Sequence, residues 1–310
     1  MTDVVVPVPE EVLAPLAGRP LPPVVKQALR YLHAGELAQA EALMRKHLTS
    51  AAASADPAVT RTAFILLLYL LGEQRKHEEA GAAFAAPWSP LRAEGQVDFD
   101  RMYGAAIAAT GSLPLPFKRR ARFLELVRQL ASTRGVAGAI AECGCFRGLS
   151  SHLLCQSLAA ESPGFDGAGY HIFDSFAGLS DPMAEDAVPA DHPNRSVLEH
   201  VTQAGAFAAT LDTVRRNLAR FPGIAYHPGW IPLSFDTLPE QRYRFVHLDV
   251  DLYDPTLDCL EYFHPRVAAG GAIVSDDYSW PGARLAIEEF CAARGLSFTV
   301  TDFEQAVIRL

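Results

Sequence analysis

The chain has 310 residues, of which 49% are hydrophobic and 20% are charged, and its formal net charge is −9. This composition is typical of a folded chain with a sizeable core, and it excludes a disordered protein. The acidic balance argues against a nucleic-acid binder, because phosphate contacts need clustered cations. The length predicts about two domains.

The apolar runs and the cysteines indicate the cellular setting. The longest apolar run, residues 63–71, is far shorter than the roughly 20 residues of a membrane span. The first residues carry no basic leader segment. The five cysteines are odd in number and lie mostly in apolar segments, which predicts reduced thiols in a cytoplasmic protein without a membrane partner.

The first part of the chain predicts helices. Residues 25–50 and 59–85 carry apolar side chains at helical spacing, with breaks at Ala34-Gly35 and at Gly72. Each stretch therefore predicts a helix–turn–helix hairpin. The hairpins resemble tetratricopeptide units, and a plain helical bundle is the alternative.

The prolines of residues 86–115 predict a linker. The linker divides the chain into an all-helical domain over 1–115 and a second domain over 116–310. An amphipathic helix with a basic start is predicted over 117–134.

From residue 139 onward, short β-branched runs alternate with helical patterns, which predicts a parallel α/β sheet. The last two runs are predicted to pair antiparallel at one edge. The predicted strands cover 139–143, 170–174, 224–228, 245–249, 272–276, 296–300 and 306–310, and the predicted helices cover 149–160, 210–220, 255–264 and 281–293.

The first predicted strand leads into Glu142 and Gly144, and the chain continues through Gly148 to Ser150. In open α/β sheets, ligands bind beyond the carboxyl ends of the strands. The glycines let a ligand approach the backbone, and the next helix offers its N-terminal N–H groups to an anion. Ser150 can bind a carboxylate there. A tight strand–helix turn without a ligand is the alternative.

The second predicted strand ends at Asp174-Ser175. An acidic residue at the end of this strand is suited to gripping a ribose diol, because its oxygens can accept hydrogen bonds from both hydroxyls. The alternative is an aspartate that caps a turn.

Aspartates end two further predicted strands. Asp249 ends one, and Asp276 and Asp277 end the next. Adjacent strand ends bring these carboxylates together, where they repel one another unless a cation is present. A carboxylate-rich site suits Mg²⁺, with Mn²⁺ or Ca²⁺ as alternatives. Helix caps are the structural explanation.

In this order the motifs resemble the macrocin O-methyltransferase family, over about residues 117–310 and not over the N-terminal residues. The matching motifs are Ala141-Glu142-Cys143-Gly144 with Gly148, the segment 174–179 (DSFAGL), the segment 235–239 (FDTLP), the segment 247–256 (HLDVDLYDPT), and Gly270-Gly271 through Asp276-Asp277-Tyr278.

The resemblance implies a Rossmann-like class I methyltransferase fold. It implies an enzyme that uses S-adenosylmethionine and Mg²⁺ to methylate a sugar hydroxyl of a natural product, and we also expect a homo-oligomer. The implied cofactor residues are Glu142, Gly144, Gly148 and Ser150 at the methionine end, Asp174 and Ser175 at the ribose, and Gly229 and Trp230 at the adenine. The implied metal ligands are Asp249, Asp276 and Asp277.

The sequence departs from metal-dependent relatives at one position. They often have a Lys or His three residues after the first metal-binding aspartate, and here that residue is Leu252. Asp251 is then the nearest candidate for the general base, and a metal ligand or a supporting group is its other possible role. We interpret His247, inside a strand, as a core histidine.

The polar stretch 178–207 predicts a lid over the acceptor, which we expect to be a small-molecule glycoside or another hydroxylated compound. Two alternative functions stay open. One is a phenol or catechol O-methyltransferase, with Trp230, Trp280 and Tyr278 as flat walls. The other is a non-catalytic scaffold with a methyltransferase fold.

Overall fold

The structure is a computed structural model, and it describes residues 10–50, 56–91, 96–112, 117–192, 195–235 and 240–310. The chain divides into two compact units, residues 1–120 and 121–310. The boundary at 115 and 116 inferred from the sequence falls in the undescribed residues 113–116, and it remains a prediction. Among the described residues, no helix is both long and apolar enough to cross a membrane.

The described part of the first unit is helical, as the sequence predicts. Helix α4 carries the longest apolar run and is buried on nearly all sides. The first predicted hairpin is confirmed, because α2 ends at His33 and α3 begins at Leu37. The helices are α1 (Glu10–Leu13), α2 (Pro23–His33), α3 (Leu37–Leu48), α4 (Pro57–Glu73), α5 (His77–Ala85) and α6 (Val97–Thr110).

Two details of the first unit differ from the prediction. The break assigned to Gly72 lies later, because α4 runs through this residue to Glu73. A Cβ at Gly72 would lie 2.9 Å from the carbonyl oxygen of Ala108, so the glycine permits close helix packing rather than a turn. The predicted linker over 86–115 contains helix α6, whose Tyr103 and Ile107 are buried.

The second unit contains a seven-stranded sheet in the order β3-β2-β1-β4-β5-β7-β6. The first five strands are parallel, and β7 pairs antiparallel with both β5 and β6. This confirms the predicted α/β sheet with its antiparallel edge. The strands are β1 (Ala139–Cys143), β2 (Tyr170–Asp174), β3 (Ala225–Pro228), β4 (Tyr243–Leu248), β5 (Val267–Ser275), β6 (Phe298–Val300) and β7 (Ala306–Arg309).

Helices connect these strands. The central strands are buried along almost their whole length, which is the pattern of a sheet covered on both faces. The strand order reverses between β1 and β4, and a ligand crevice forms beyond the carboxyl ends of strands at such a point. The helices are α7 (Phe117–Ser132), α8 (Leu149–Glu161), α9 (Arg195–Val201), α10 (Leu211–Asn217), α11 (Tyr253–Phe263) and α12 (Pro281–Arg294).

Candidate active site

The loop from β1 to α8 lies directly against the end of β4. Gly144 has a φ of +79°, and a Cβ there would overlap the carbonyl oxygen of Asp249. The N–H of Asp249 in turn donates to the carbonyl of Cys143 at 2.8 Å. Gly148, at φ +86°, precedes the first residue of α8. At Gly144 only glycine combines this backbone conformation with so close an approach. At Gly148 the positive φ by itself favours glycine.

Asp174 binds this loop through its carboxylate. Its Oδ2 accepts the N–H groups of Cys145 at 2.7 Å and Phe146 at 3.3 Å, and its Oδ1 accepts that of Phe176 at 2.7 Å. A carboxylate offers about four acceptor positions, so three are already used by the backbone. Asp174 therefore caps the turn and keeps room for about one further donor, where the sequence predicted two ribose hydroxyls.

Glu142 faces the interior of the unit and has no exposed surface. Its Oε2 accepts the hydroxyls of Tyr170, at 2.8 Å, and Ser151, and its Oε1 lies 3.0 Å from Nδ1 of His247. Burial raises the pKa of Glu142, but His247, Ser150 and Ser151 outweigh it and hold the pKa below 4.5.

The same contacts raise the pKa of His247. Burial lowers the pKa of His247, but the hydrogen bond and charge of Glu142 outweigh it and raise the pKa above 6.5. The two shifts favour the charged form of both side chains, and the core position predicted for His247 is confirmed because the residue is fully buried. The pair holds β1 against β4 directly beneath the crevice.

The remaining predicted cofactor residues lie around the same strand ends. Ser150 is buried in the first turn of α8, and Ser175 stabilises the next turn by donating to the carbonyl of Gly178 at 2.8 Å. The N–H of Gly229 donates to the carbonyl of Asp174 at 3.0 Å, which joins the ends of β2 and β3. Trp230 follows with 44% of its surface exposed, so its ring is accessible to a ligand.

Four aspartates gather where β4 and β5 end, and they form two overlapping groups. In the first group, carboxylate oxygens of Asp249, Asp251 and Asp277 lie within 4.8 Å of one another. In the second group, carboxylate oxygens of Asp249 and Asp276 and a ring nitrogen of His247 lie within the same distance of one another. Among the described residues, the predicted trio of Asp249, Asp276 and Asp277 therefore does not form one group.

Asp276 is engaged by two side chains that the sequence analysis did not assign. A guanidinium nitrogen of Arg122 lies 2.5 Å from its Oδ2 and also contacts its carbonyl oxygen. The amide of Gln305 donates to its Oδ1 at 2.7 Å. The basic start of the predicted helix over 117–134 was the one sequence signal for Arg122.

Asp251 and Asp277 face each other in the other group. Asp251 has a φ of +62°, an uncommon value for a residue other than glycine. Its N–H donates to Oδ2 of Asp277 at 3.0 Å, which holds this conformation. Burial and the neighbouring carboxylates raise the pKa of both side chains well above 3.8. The crowded oxygens suit a hard divalent cation, which would relieve this repulsion.

The segment 178–207, predicted to be a lid, is tied down at both ends. The N–H of Leu179 donates to the carbonyl of Ala206, and the N–H of Gly205 to that of Leu179, both at 2.9 Å. The next residue, Phe207, packs edge-on against Phe146 of the β1–α8 loop, with ring centroids 5.9 Å apart.

A buried aspartate ties the middle of the same segment. Asp186 accepts the N–H of Met183 and that of Tyr253, each at 2.8 Å. Tyr253 is the first residue of α11, so the segment is bonded to the helix that follows Asp251. Residues 193–194 lie outside the description, and closure over an acceptor remains a prediction.

The sheet, the crevice and the loop together define a class I methyltransferase fold, as predicted. The solved O-methyltransferase NovP has the same fold, with a TM-score of 0.51 over 82% of this chain and 99% of that chain. The sequence identity is 21%, so this likeness concerns the fold alone.

The chain belongs to the Macrocin-O-methyltransferase (TylF) family, which matches residues 84–308. The match confirms the resemblance given by the motifs. It also corrects its extent, because it begins at residue 84 rather than 117. Residues 236–239 of the motif at 235–239 lie outside the described residues.

Two relatives give the range of similarity. The chain is 30% identical over 174 residues to 8-demethyl-8-(2,3-dimethoxy-alpha-L-rhamnosyl)-tetracenomycin-C 4'-O-methyltransferase of Streptomyces olivaceus, covering 55% of this chain and 64% of that protein. It is 27% identical over 175 residues to mycinamicin III 3''-O-methyltransferase of Micromonospora griseorubida, covering 55% and 67%. The chain thus matches about two thirds of the length of these curated relatives.

Proposed function

We propose that the protein transfers a methyl group from S-adenosylmethionine to a sugar hydroxyl of a natural product, in a reaction that depends on Mg²⁺ or Mn²⁺. The observation that carries this proposal is the group of Asp249, Asp251 and Asp277 beside the Gly144 loop. Membership of the family and the rhamnosyl group in the name of one relative support the sugar acceptor.

The cofactor is assigned to the loop side of the crevice. The N-terminal N–H groups of α8 and Ser150 would bind the methionine carboxylate. Asp174 would accept one ribose hydroxyl with the acceptor position that its backbone contacts leave over, and Trp230 would flank the adenine. Glu142, being buried, would act by holding the loop in place rather than by touching the cofactor.

The acceptor is assigned to the carboxylate side. Methyl transfer to oxygen is an in-line displacement, so the hydroxyl must be held opposite the sulfonium and lose its proton. Asp249, Asp251 and Asp277 would hold the cation, and a bound cation would lower the pKa of the acceptor hydroxyl. Asp251 would accept the proton at the carboxylate oxygen that the cation leaves free.

One comparison tests the proposal and its alternatives. Methyl transfer from labelled S-adenosylmethionine is measured for glycosides and for catechols, with added Mg²⁺ and with EDTA, and binding of S-adenosylhomocysteine serves as the folding control. Turnover of a glycoside that EDTA abolishes supports the proposal. Turnover of catechols alone favours the phenol reading, and equal turnover in EDTA contradicts the cation. Cofactor binding without any turnover favours a scaffold.

The setting of the protein is also a proposal. All five cysteines are buried, free thiols, which suits the reducing cytoplasm. A homo-oligomer is expected from the family, and light scattering on the purified chain would give its state.

A further inference from the structure

Arg122 brings a positive charge into the carboxylate group. It lies near the start of α7, and 22% of its side chain is exposed. Its guanidinium contacts both the carboxylate and the carbonyl oxygen of Asp276. Both contacts come from the same guanidinium nitrogen, and a guanidinium keeps its positive charge at every ordinary pH.

The positive charge of Arg122 also interacts with carboxylates other than that of Asp276. Burial lowers the pKa of the guanidinium, but the charges of Asp276, Asp277, Asp249 and Asp251 outweigh it and raise the pKa. One permanent cation therefore faces four carboxylates, and three negative charges remain when all are ionised. A second side chain, Gln305, donates its amide N–H to the other carboxylate oxygen of Asp276.

We propose that Arg122 is a resident cation that competes with the metal for Asp276 and weakens divalent-cation binding to the aspartates at the ends of β4 and β5. This proposal rests on the proposed metal site. Two effects act in the same direction. The guanidinium repels a second cation in a poorly solvated site, and it engages an oxygen of Asp276 that a divalent cation would otherwise bind. Arg122 would thus let the bound divalent cation dissociate more readily.

The test measures cation binding directly, without turnover. Mn²⁺ is titrated into the full chain, and free Mn²⁺ is followed by electron paramagnetic resonance. Arg122→Gln, which removes the charge and frees Asp276, should bind Mn²⁺ roughly tenfold more tightly than the unaltered protein. Arg128→Gln is the matched control, because Arg128 is an exposed arginine of the same helix, with 59% of its side chain accessible, and its affinity should not change.

A second variant guards against misfolding of the first. Arg122→Lys keeps the positive charge, so it should bind Mn²⁺ less tightly than Arg122→Gln. Unchanged or weaker binding by folded Arg122→Gln, or equal binding by the two variants, overturns the role of Arg122 while leaving the metal site intact. Absence of Mn²⁺ binding from every protein tested overturns the metal site and this proposal together.

Discussion

Asp186 and Tyr253 join two parts of the chain that are 67 residues apart. The carboxylate of Asp186 accepts the N–H of Tyr253 at 2.8 Å and so caps the first residue of α11. A Cβ at Gly282, the second residue of α12, would overlap the same carboxylate oxygen. The segment between β2 and β3 is therefore hydrogen-bonded to α11 and packed closely against α12. These two helices follow the loops that carry the aspartates.

Asp186→Ala should destabilise the second unit, because the N–H groups of Met183 and Tyr253 lose the buried carboxylate that accepts them. Each hydrogen bond of this kind contributes about 0.5–1.5 kcal/mol, so the thermal unfolding midpoint should fall accordingly. The Michaelis constant for the acceptor should also rise, since the segment lies beside the crevice. Glu185→Ala, at the exposed neighbouring position, is the control and should leave both quantities unchanged. Equal midpoints for the two variants would contradict the capping role.

Glu142→Ala should be among the most damaging changes in the sheet. Removing one partner of a buried ion pair costs about 3–5 kcal/mol, because the other charge is left uncompensated. Denaturant unfolding measures this loss. Glu199→Ala removes an exposed partner of Arg195, and the loss there should stay below about 1 kcal/mol. A loss at Glu142 no larger than that at Glu199 would show that the buried pair is not ionised.

Asp249→Asn should abolish methyl transfer and leave binding of S-adenosylhomocysteine and the unfolding midpoint nearly unchanged. The change keeps the shape of the side chain but removes the charge that both carboxylate groups share. Asp254→Asn, at an exposed position of α11, is the matched control and should retain turnover. If Asp249→Asn remains active, the catalytic assignment of this carboxylate is wrong.

The stability of the second unit should decrease in acid because of two histidines. His171 and His227 stack with ring centroids 5.3 Å apart and share a 3.0 Å hydrogen bond between ring nitrogens. Burial lowers the pKa of both below 6.5, and at His171 the charge of His227 adds to it. The unfolded chain then binds protons more readily, so this stability is complete above pH 6.5 and is lost as the pH falls below it.

Thermal midpoints measured between about pH 8 and about pH 5 test this dependence. His227→Gln should reduce the loss of stability in acid, because one of the two half-buried titrating groups is gone. His200→Gln changes an exposed histidine of α9 and should preserve the original slope. A slope that His227→Gln leaves untouched would rule out the pair as its source.

The strands were the most predictable part of the chain. β1 and β2 have the predicted bounds, because their apolar runs end at a glycine loop and at an aspartate. Helix α6 was missed because the prolines on either side of it indicate a linker. Its own pattern of alanines with one glycine is apolar on most sides, and it becomes a helix through close packing against α5, where Gly104 meets Phe84.

Local sequence also identified the parts of the site without assigning their partners. The glycine loop, Asp174 and the four aspartates were found because strand ends and turn residues follow from short-range rules. Asp186 and Gln305 carried no such signal, since their contacts join residues far apart in the chain.

The sequence by itself determined the family, the order of strands and helices, and the edge of the sheet where the acidic residues collect. These follow from hydrophobic periodicity and from turn chemistry, which depend on near neighbours. Only the tertiary structure decided that Asp277 joins Asp249 and Asp251 while Asp276 binds Arg122. Side-chain direction at a strand end depends on which distant helix lies beside it, and that is set by the packing of the whole unit.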